Sequence, residues 1–136
     1  MRFVVAGAVL RNHDGSTELL LAQRSYPADV AGLWELPGGK AEDGEDLAAA
    51  LRRELLEELE ITVEVEGGLS ERVVLRDDLT MVARWARILG GTPRAVEHRG
   101  LRWVGADDLE RMARTGELVP ADEVWVPELA AVLRDD

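Results

Sequence analysis

Residues 39–61 read GKAEDGEDLAAALRRELLEELEI, and this stretch decides how the rest of the chain is interpreted. Its second half is typical of a helix, which we expect from about residue 46 to residue 59. On that helix Glu54, Glu57 and Glu58 occupy positions i, i+3 and i+4. At about 100° per residue, their carboxylates share a sector of roughly 100° of the helix surface. Leucines at four-residue spacing fill the neighbouring sector, so an acidic stripe runs beside the stripe that packs on the core.

The acidic stripe is unfavourable for the helix itself. Like charges at these spacings repel one another by roughly 0.2–0.5 kcal/mol per pair, and they lie near the negative end of the helix dipole. Most charge runs are solvated surface, but Gly38 and Gly39 precede this helix. Two adjacent glycines allow a tight turn that brings a carbonyl close to a metal. Because Mg²⁺ prefers oxygen ligands, usually together with substrate phosphates, the pattern predicts a divalent metal site.

The same stretch resembles the signature of the Nudix hydrolases, G-x5-E-x7-R-E-U-x-E-E-x-G-U, in which U is aliphatic. The positions that match are Gly39, Glu45, Arg53, Glu54, Leu55, Glu57, Glu58 and Ile61. One position departs, because Glu60 stands where the family has glycine. That glycine serves a left-handed helix end, where another residue costs about 1 kcal/mol. The departure therefore concerns the turn more than the chemistry.

The resemblance implies a role for each matching polar residue. The metal ligands would be the Gly38 carbonyl and the carboxylates of Glu54, Glu57 and Glu58. The expected ion is Mg²⁺, with Mn²⁺ as a substitute. Arg53 is expected to form a salt bridge with one of these carboxylates and so to orient a ligand. Glu45 would support the loop and the water network.

Residues 21–24 (LAQR) and 33–40 (LWELPGGK) resemble a narrower group, the MutT-type nucleoside triphosphate diphosphatases. By that resemblance Arg24 and Lys40 would face substrate phosphates; the alternatives are an exposed edge-strand arginine and a solvated loop lysine. Glu97 matches by position a late glutamate that binds metal or acts as a base, and a surface carboxylate is the alternative. His98 is expected to be a surface or packing residue rather than a ligand.

Residues 119–122 read VPAD and resemble the segment before the last helix of the MutT-type enzymes, where a polar residue meets the base edge. The alternative is that Asp122 caps the following helix, because Asp is a favoured N-cap. An ionised carboxylate only accepts hydrogen bonds, so it suits the amine of cytosine or the N1–H and N2–H₂ edge of guanine. Asp122 therefore favours cytosine nucleotides without excluding 8-oxoguanine. Four aromatic residues could stack a base, although core packing is the better interpretation of each: Trp34, Trp103, Trp125 and Tyr26.

The length and composition of the whole chain limit its possible domain organisation, partners and chemistry. Its 136 residues predict a single domain over residues 1–136. A net charge of −11 argues against nucleic-acid polymers and anionic membranes as partners, but not against small polyphosphates. The lack of cysteine excludes disulfides and thiol chemistry. With no apolar segment of transmembrane length and no signal pattern, we expect a cytoplasmic protein, either a monomer or a homodimer.

Hydrophobic alternation predicts strands over residues 3–10, 18–23, 33–36, 61–65, 71–75, 79–89 and 101–104. Helices are expected over residues 46–59, 106–114 and 122–133, the last one broken or delayed by Pro127. This order predicts an α/β sandwich with a mixed sheet. The resemblance implies the same α/β/α arrangement, the Nudix fold.

The resemblance also implies a reaction. It is the Mg²⁺-dependent cleavage of a nucleoside triphosphate to the monophosphate and pyrophosphate, with Glu54 or Glu97 as general base. Candidate substrates are 8-oxo-dGTP and the cytosine nucleotides CTP, dCTP and 5-methyl-dCTP; the base, the sugar and the physiological role stay open. Two alternatives also stay open. One is a nucleotide-binding sensor without catalysis, and the other is a hydrolase of nucleoside diphosphate derivatives.

Overall fold

A computed structural model describes residues 2–135, which form one mixed sheet with helices on both faces. The predicted domain also includes Met1 and Asp136, which lie outside the described residues. The strands are β1 (Arg2–His13), β2 (Ser16–Gln23), β3 (Trp34–Glu35), β4 (Gly38–Lys40), β5 (Thr62–Gly68), β6 (Val73–Arg76), β7 (Leu79–Gly90) and β8 (Gly100–Val104). The helices are α1 (Leu47–Leu59), α2 (Ala106–Arg114) and α3 (Val126–Arg134), and a 3-10 helix spans Pro120–Trp125.

The centre of the sheet is the parallel pair β1 and β7, in which Val5 lies opposite Val82. Strands β2 and β4 pair with β1 in antiparallel fashion, and β5 and β6 pair with β7 in the same way. Strand β2 also carries β3 and β8. Because β4 lies against β1, the glycines that precede α1 are held by the middle of the sheet.

The period of two along β1 divides the core between the two faces of the sheet. Val5 and Val9 pack with the buried leucines of α1. Ala6 and Ala8 face the other way, toward buried residues of α2 and α3. The predicted α/β/α sandwich is therefore confirmed. No helix within residues 2–135 is both long and apolar enough to cross a bilayer.

Two predicted segments differ from the structure. Gly38 and Gly39, expected to turn, are extended in β4. Residues 122–133, expected as one helix, are divided between the 3-10 helix and α3. Pro127 lies in the first turn of α3, where a missing N–H is tolerated, so it marks a late start rather than a break.

Candidate active site

Helix α1 is fixed at both ends by local contacts. Asp46 caps its start, since the Asp46 carboxylate accepts a hydrogen bond from the Ala49 N–H at 3.1 Å. Glu60 ends it with φ 60° and ψ 36°, the left-handed conformation that glycine would adopt more easily. The departure from the signature is therefore accommodated by a strained residue, and the direction of the helix is kept.

Gly38 and Gly39 serve close approach rather than a turn. Neither has a positive φ, so the expected tight turn was wrong. A Cβ on Gly38 would lie 2.0 Å from the Val5 carbonyl oxygen, and one on Gly39 would lie 2.3 Å from the Glu54 carboxyl carbon. Only glycine lets β4 lie against β1 on one side and against the Glu54 carboxylate on the other.

Arg53 connects the start of α1 with its acidic stripe. Its guanidinium donates two hydrogen bonds of 2.9 Å to the Glu45 carboxylate and one of 3.1 Å to Glu54. It also donates to the Lys40 carbonyl at 3.1 Å. The hydrogen bonds from Arg53, together with the Glu42 N–H, lower the pKa of Glu45 to about 2. The predicted salt bridge is present and holds the Glu54 carboxylate in place.

The other two carboxylates of the stripe have contrasting surroundings. The Glu57 side chain is 59% exposed, with its carboxylate 3.6 Å from Arg53. Glu58 points into the protein, and burial raises its pKa to about 7, against the opposing effect of nearby His98. The carboxylates of Glu54 and Glu97 raise it further. A buried carboxyl group of this kind is stabilised in its ionised form by a cation.

No group of three or more histidine or acidic side chains within residues 2–135 is arranged to hold a metal ion as it stands. The donors nevertheless fit a hard divalent cation. Glu58 Oε2 is buried and has no partner in the described part of the chain, while Glu54 is pinned beside Gly39. Mg²⁺ usually takes one or two carboxylates together with substrate phosphates and waters, so it does not require a complete protein cage.

Two cavities adjoin these carboxylates and share Arg24. The smaller, about 40 Å³, is polar and is lined by Arg24, Ser25, Tyr26, Glu58, Glu97 and His98. The larger, about 340 Å³, is a cleft that contains Gly39 and Lys40 as well as Asp122 and apolar residues such as Leu75. The structure therefore brings Glu97 near the acidic stripe and places Lys40 and Asp122 in one cleft.

Glu35 is a residue of this region that the sequence analysis missed. Arg24 Nη1 lies 3.1 and 3.2 Å from its two carboxylate oxygens, and Arg24 Nε donates to the Tyr26 carbonyl at 2.9 Å. His98 Nε2 lies 3.1 Å from Glu35 Oε2. The His98 side chain is only 7% exposed, so the packing interpretation holds and the surface one does not. The only sequence signal for Glu35 is a charge between Trp34 and Leu36.

Asp122 is a buried member of the cleft wall. It is 7% exposed, and its Oδ2 accepts a hydrogen bond of 2.8 Å from the Leu36 N–H. It lies inside the 3-10 helix, whereas α3 begins after Trp125 without a side-chain cap, so the capping interpretation was wrong. Burial raises the pKa of Asp122 to about 7, against the lowering effect of the Leu36 N–H. Near neutral pH the carboxyl group is therefore present in both forms, and it can donate as well as accept.

The aromatic residues divide between the core and the surface. Trp125 is fully buried, and its Nε1 donates to the Glu71 carbonyl at 2.9 Å. Trp103 packs under Arg11, with 4.2 Å between the guanidinium carbon and the ring centroid. Tyr26 is 62% exposed at the small polar cavity. Core packing is thus confirmed for Trp125, and Tyr26 is exposed instead.

Comparison with known proteins identifies the family to which this site belongs. The NUDIX domain matches residues 1–129. The chain belongs to the Nudix hydrolase family. This Nudix hydrolase is 44% identical over 135 residues to the putative 8-oxo-dGTP diphosphatase 2 of Mycobacterium tuberculosis, covering 97% of this chain and 90% of that one. It is 36% identical over 135 residues to the CTP pyrophosphohydrolase of Escherichia coli, covering 98% and 93%.

A solved structure supports the same assignment. This Nudix hydrolase aligns with a structure from a structural and functional analysis of MutT from Aliivibrio salmonicida and Vibrio cholerae. The TM-score is 0.74 and the identity is 28%. The alignment covers 96% of each chain. The resemblance to Nudix hydrolases of the MutT type, predicted from residues 21–24, 33–40 and 39–61, is thereby confirmed.

Proposed function

We propose that this Nudix hydrolase is a metal-dependent pyrophosphohydrolase that converts nucleoside triphosphates to the monophosphate and pyrophosphate. The observation that carries the proposal is a single cleft that runs from Gly39, directly beside the Glu54 carboxylate, to the buried Asp122. One end of the cleft lies beside a carboxylate that can bind a cation, and the other end offers a polar group for a base. The names of the two relatives, a diphosphatase and a pyrophosphohydrolase, agree with this arrangement.

The residues that would hold Mg²⁺, or Mn²⁺ in its place, are the Gly38 carbonyl, Glu54, Glu57, Glu58 and Glu97. When bound, the cation neutralises phosphate charge and lowers the pKa of a coordinated water. Arg53 keeps the Glu54 carboxylate at the Gly39 backbone, and Glu45 keeps Arg53 in position through two hydrogen bonds. These contacts fix one ligand before substrate binds, which reduces the reorganisation needed for catalysis.

Two cations of the chain can bind the phosphates. Lys40 is exposed at the edge of the cleft. Arg24 uses Nε and Nη1 for Tyr26 and Glu35, and within residues 2–135 its Nη2 is left for a ligand. Water attacks a phosphorus atom, the bond to the bridging oxygen breaks, and the proton of the water passes to Glu54 or Glu97 as general base.

Asp122 would read the base with one oxygen. Its Oδ2 is held by the Leu36 N–H, which leaves Oδ1 for a ligand in the cleft. As a carboxylate, Oδ1 accepts a hydrogen bond from the exocyclic amine of cytosine; as a protonated carboxyl, it donates to a base carbonyl such as O6 of guanine. The candidate substrates are therefore CTP, dCTP, 5-methyl-dCTP and 8-oxo-dGTP.

The test is pyrophosphate release with Mg²⁺ from matched CTP, dCTP, 5-methyl-dCTP, dGTP and 8-oxo-dGTP, compared by kcat/KM. Turnover that yields the monophosphate and pyrophosphate supports the proposal. Preference for the cytosine set assigns Asp122 as a reader of the amine, and preference for 8-oxo-dGTP assigns it to the guanine edge. Tight nucleotide binding without turnover in Mg²⁺ or Mn²⁺ would overturn the proposal in favour of a sensor.

A further inference from the structure

Within residues 2–135, two buried side-chain polar atoms have no hydrogen-bond partner, Glu58 Oε2 and His98 Nδ1. The two belong to different elements, α1 and the segment before β8. Both residues line the polar cavity of about 40 Å³. Because buried polar atoms without partners are rare and energetically costly, two of them at one cavity indicate a shared ligand.

The hydrogen-bonding state of His98 defines what that ligand must offer. Its Nε2 lies 3.1 Å from Glu35 Oε2, and Glu35 is also paired with Arg24, so this carboxylate acts as the acceptor and Nε2 carries the proton. The other nitrogen, Nδ1, and Glu58 Oε2 both lack a partner among the described residues and belong to side chains that line the cavity. One small polar ligand that can both donate and accept hydrogen bonds would satisfy both atoms.

A water molecule meets this requirement, because it can donate two hydrogen bonds and accept two. The cavity volume of about 40 Å³ is large enough, since about 10–15 Å³ suffices for one water. Its wall is also fixed, because the Ser25 hydroxyl donates to the Glu97 carbonyl at 2.9 Å. His98 is itself held by Glu35, which Arg24 holds in turn.

We propose that one ordered water occupies this cavity, hydrogen-bonded to both Glu58 Oε2 and His98 Nδ1, and that His98 is thereby a positioning residue for Glu58. The chain of contacts runs from Arg24 through Glu35 and His98 to the acidic stripe. It links the residue shared by both cavities to a carboxylate of the proposed metal site. The inference rests on the proposed role of Glu58 as a ligand.

The water is tested directly by a high-resolution crystal structure of the wild-type protein without divalent metal. The expected result is a water within hydrogen-bonding distance of both Glu58 Oε2 and His98 Nδ1. A dry cavity, or a direct contact between the two atoms, overturns the proposal. This experiment needs no variant and does not depend on activity.

The positioning role is tested by two variants, each of which keeps one of the two proposed contacts of His98 and removes the other. In H98Q the amide nitrogen keeps the bond to Glu35, but nothing replaces Nδ1. In H98N the amide oxygen replaces Nδ1, but the bond to Glu35 is lost. Mn²⁺ binding is measured from the electron paramagnetic resonance signal of free Mn²⁺. We expect H98Q to weaken the Mn²⁺ affinity about tenfold or more and H98N to weaken it less. The control is H13Q, at an exposed histidine beside Asp14, which should bind Mn²⁺ as the wild type does.

Each outcome has one meaning for the inference. Equal losses in H98Q and H98N, or no loss in H98Q, overturn the positioning role. If H98Q does not fold, as judged by thermal melting, the wild-type crystal structure and the H98N titration still decide. If the wild type turns over triphosphates but Mn²⁺ binding is unchanged in H98Q, the proposed function stands and this inference is removed. If the wild type does not turn over triphosphates but H98Q weakens Mn²⁺ binding, the proposed function alone is removed.

Discussion

Asp122 and Leu36 are 86 positions apart in the chain, and Asp122 Oδ2 accepts a hydrogen bond of 2.8 Å from the Leu36 N–H. This contact joins the 3-10 helix to the segment that leads into β4. Two residues after Leu36 comes Gly38, whose carbonyl is a proposed metal ligand. The carboxyl group proposed to read the base therefore also anchors the backbone that leads to the proposed metal site.

Replacing Asp122 separates these two roles. In D122A the buried Leu36 N–H loses its acceptor, so we expect the free energy of unfolding to fall by about 1–3 kcal/mol. In D122N the amide oxygen can take over that bond and turn the amide nitrogen toward the cleft. D122N should therefore be the more stable of the two while losing the acceptor for cytosine, measured as a lower kcat/KM for dCTP. Equal melting temperatures for D122A and D122N would contradict this account.

The raised pKa of Asp122 predicts a pH dependence of stability. Folding moves the pKa from its usual 3.8 to about 7, so the folded state favours the protonated form. The resulting stabilisation is fully present below about pH 4 and is lost as the pH rises through about 7, by on the order of 2–4 kcal/mol. Glu35 and Arg24 also act on this pKa, in opposite directions. Urea unfolding between pH 4 and 8 should show a steeper fall for the wild type than for D122N, which cannot titrate at this position.

The two glycines of β4 should respond differently to alanine. In G38A the new Cβ meets the Val5 backbone at 2.0 Å, which cannot move without disturbing the sheet, so we expect a loss of about 3 kcal/mol or more. In G39A the new Cβ meets the Glu54 carboxylate, which is the end of a side chain. G39A should therefore fold but lose activity. Thermal melting and kcat measured for both variants check this, and an unstable G39A with a stable G38A would refute it.

The helix end at Glu60 offers a stabilising substitution. Because Glu60 has φ 60°, E60G should relieve the left-handed strain and raise the free energy of unfolding by about 1 kcal/mol. Among the described residues, the one Glu60 side-chain contact that this change removes is an exposed 3.5 Å ion pair with Arg94. The variant E60A, which keeps a Cβ, is the control and should not gain stability. A destabilised E60G would show that the helix end is held by something other than backbone conformation.

The sequence predicted the elements whose signals are local. The spacing of the leucines and Asp46 placed α1 within one residue of its observed start, and α2 matches the predicted residues 106–114. The Gly38–Gly39 pair was misread because glycine pairs usually indicate turns, whereas here a missing Cβ makes room for Glu54, a partner distant in sequence. Burial of His98 likewise depends on contacts across the fold.

Prediction of the cleft residues is limited in the same way, because their contacts come from distant parts of the sequence. The resemblance predicted that Asp122 is a polar residue that meets the base, and the structure shows that it lines the cleft. Its hydrogen-bond partner is a backbone N–H on another element, which no local pattern indicates. Its burial changes the chemistry expected of a free carboxylate, since both protonation states are present near neutral pH. Glu35 was missed for a related reason, because its role comes from Arg24 and His98 on two other segments.

In the proposed function, the carboxylates of α1 support metal-dependent hydrolysis of nucleoside triphosphates. The most direct test compares Mg²⁺-dependent pyrophosphate release by the wild type, E57Q and E58Q, with E71Q as a control at an exposed glutamate outside both cavities. We predict monophosphate and pyrophosphate as products, a loss in kcat of about 100-fold or more in E57Q and E58Q with melting transitions retained, and wild-type turnover in E71Q. Near-wild-type turnover in folded E57Q and E58Q would show that these carboxylates are not needed for hydrolysis.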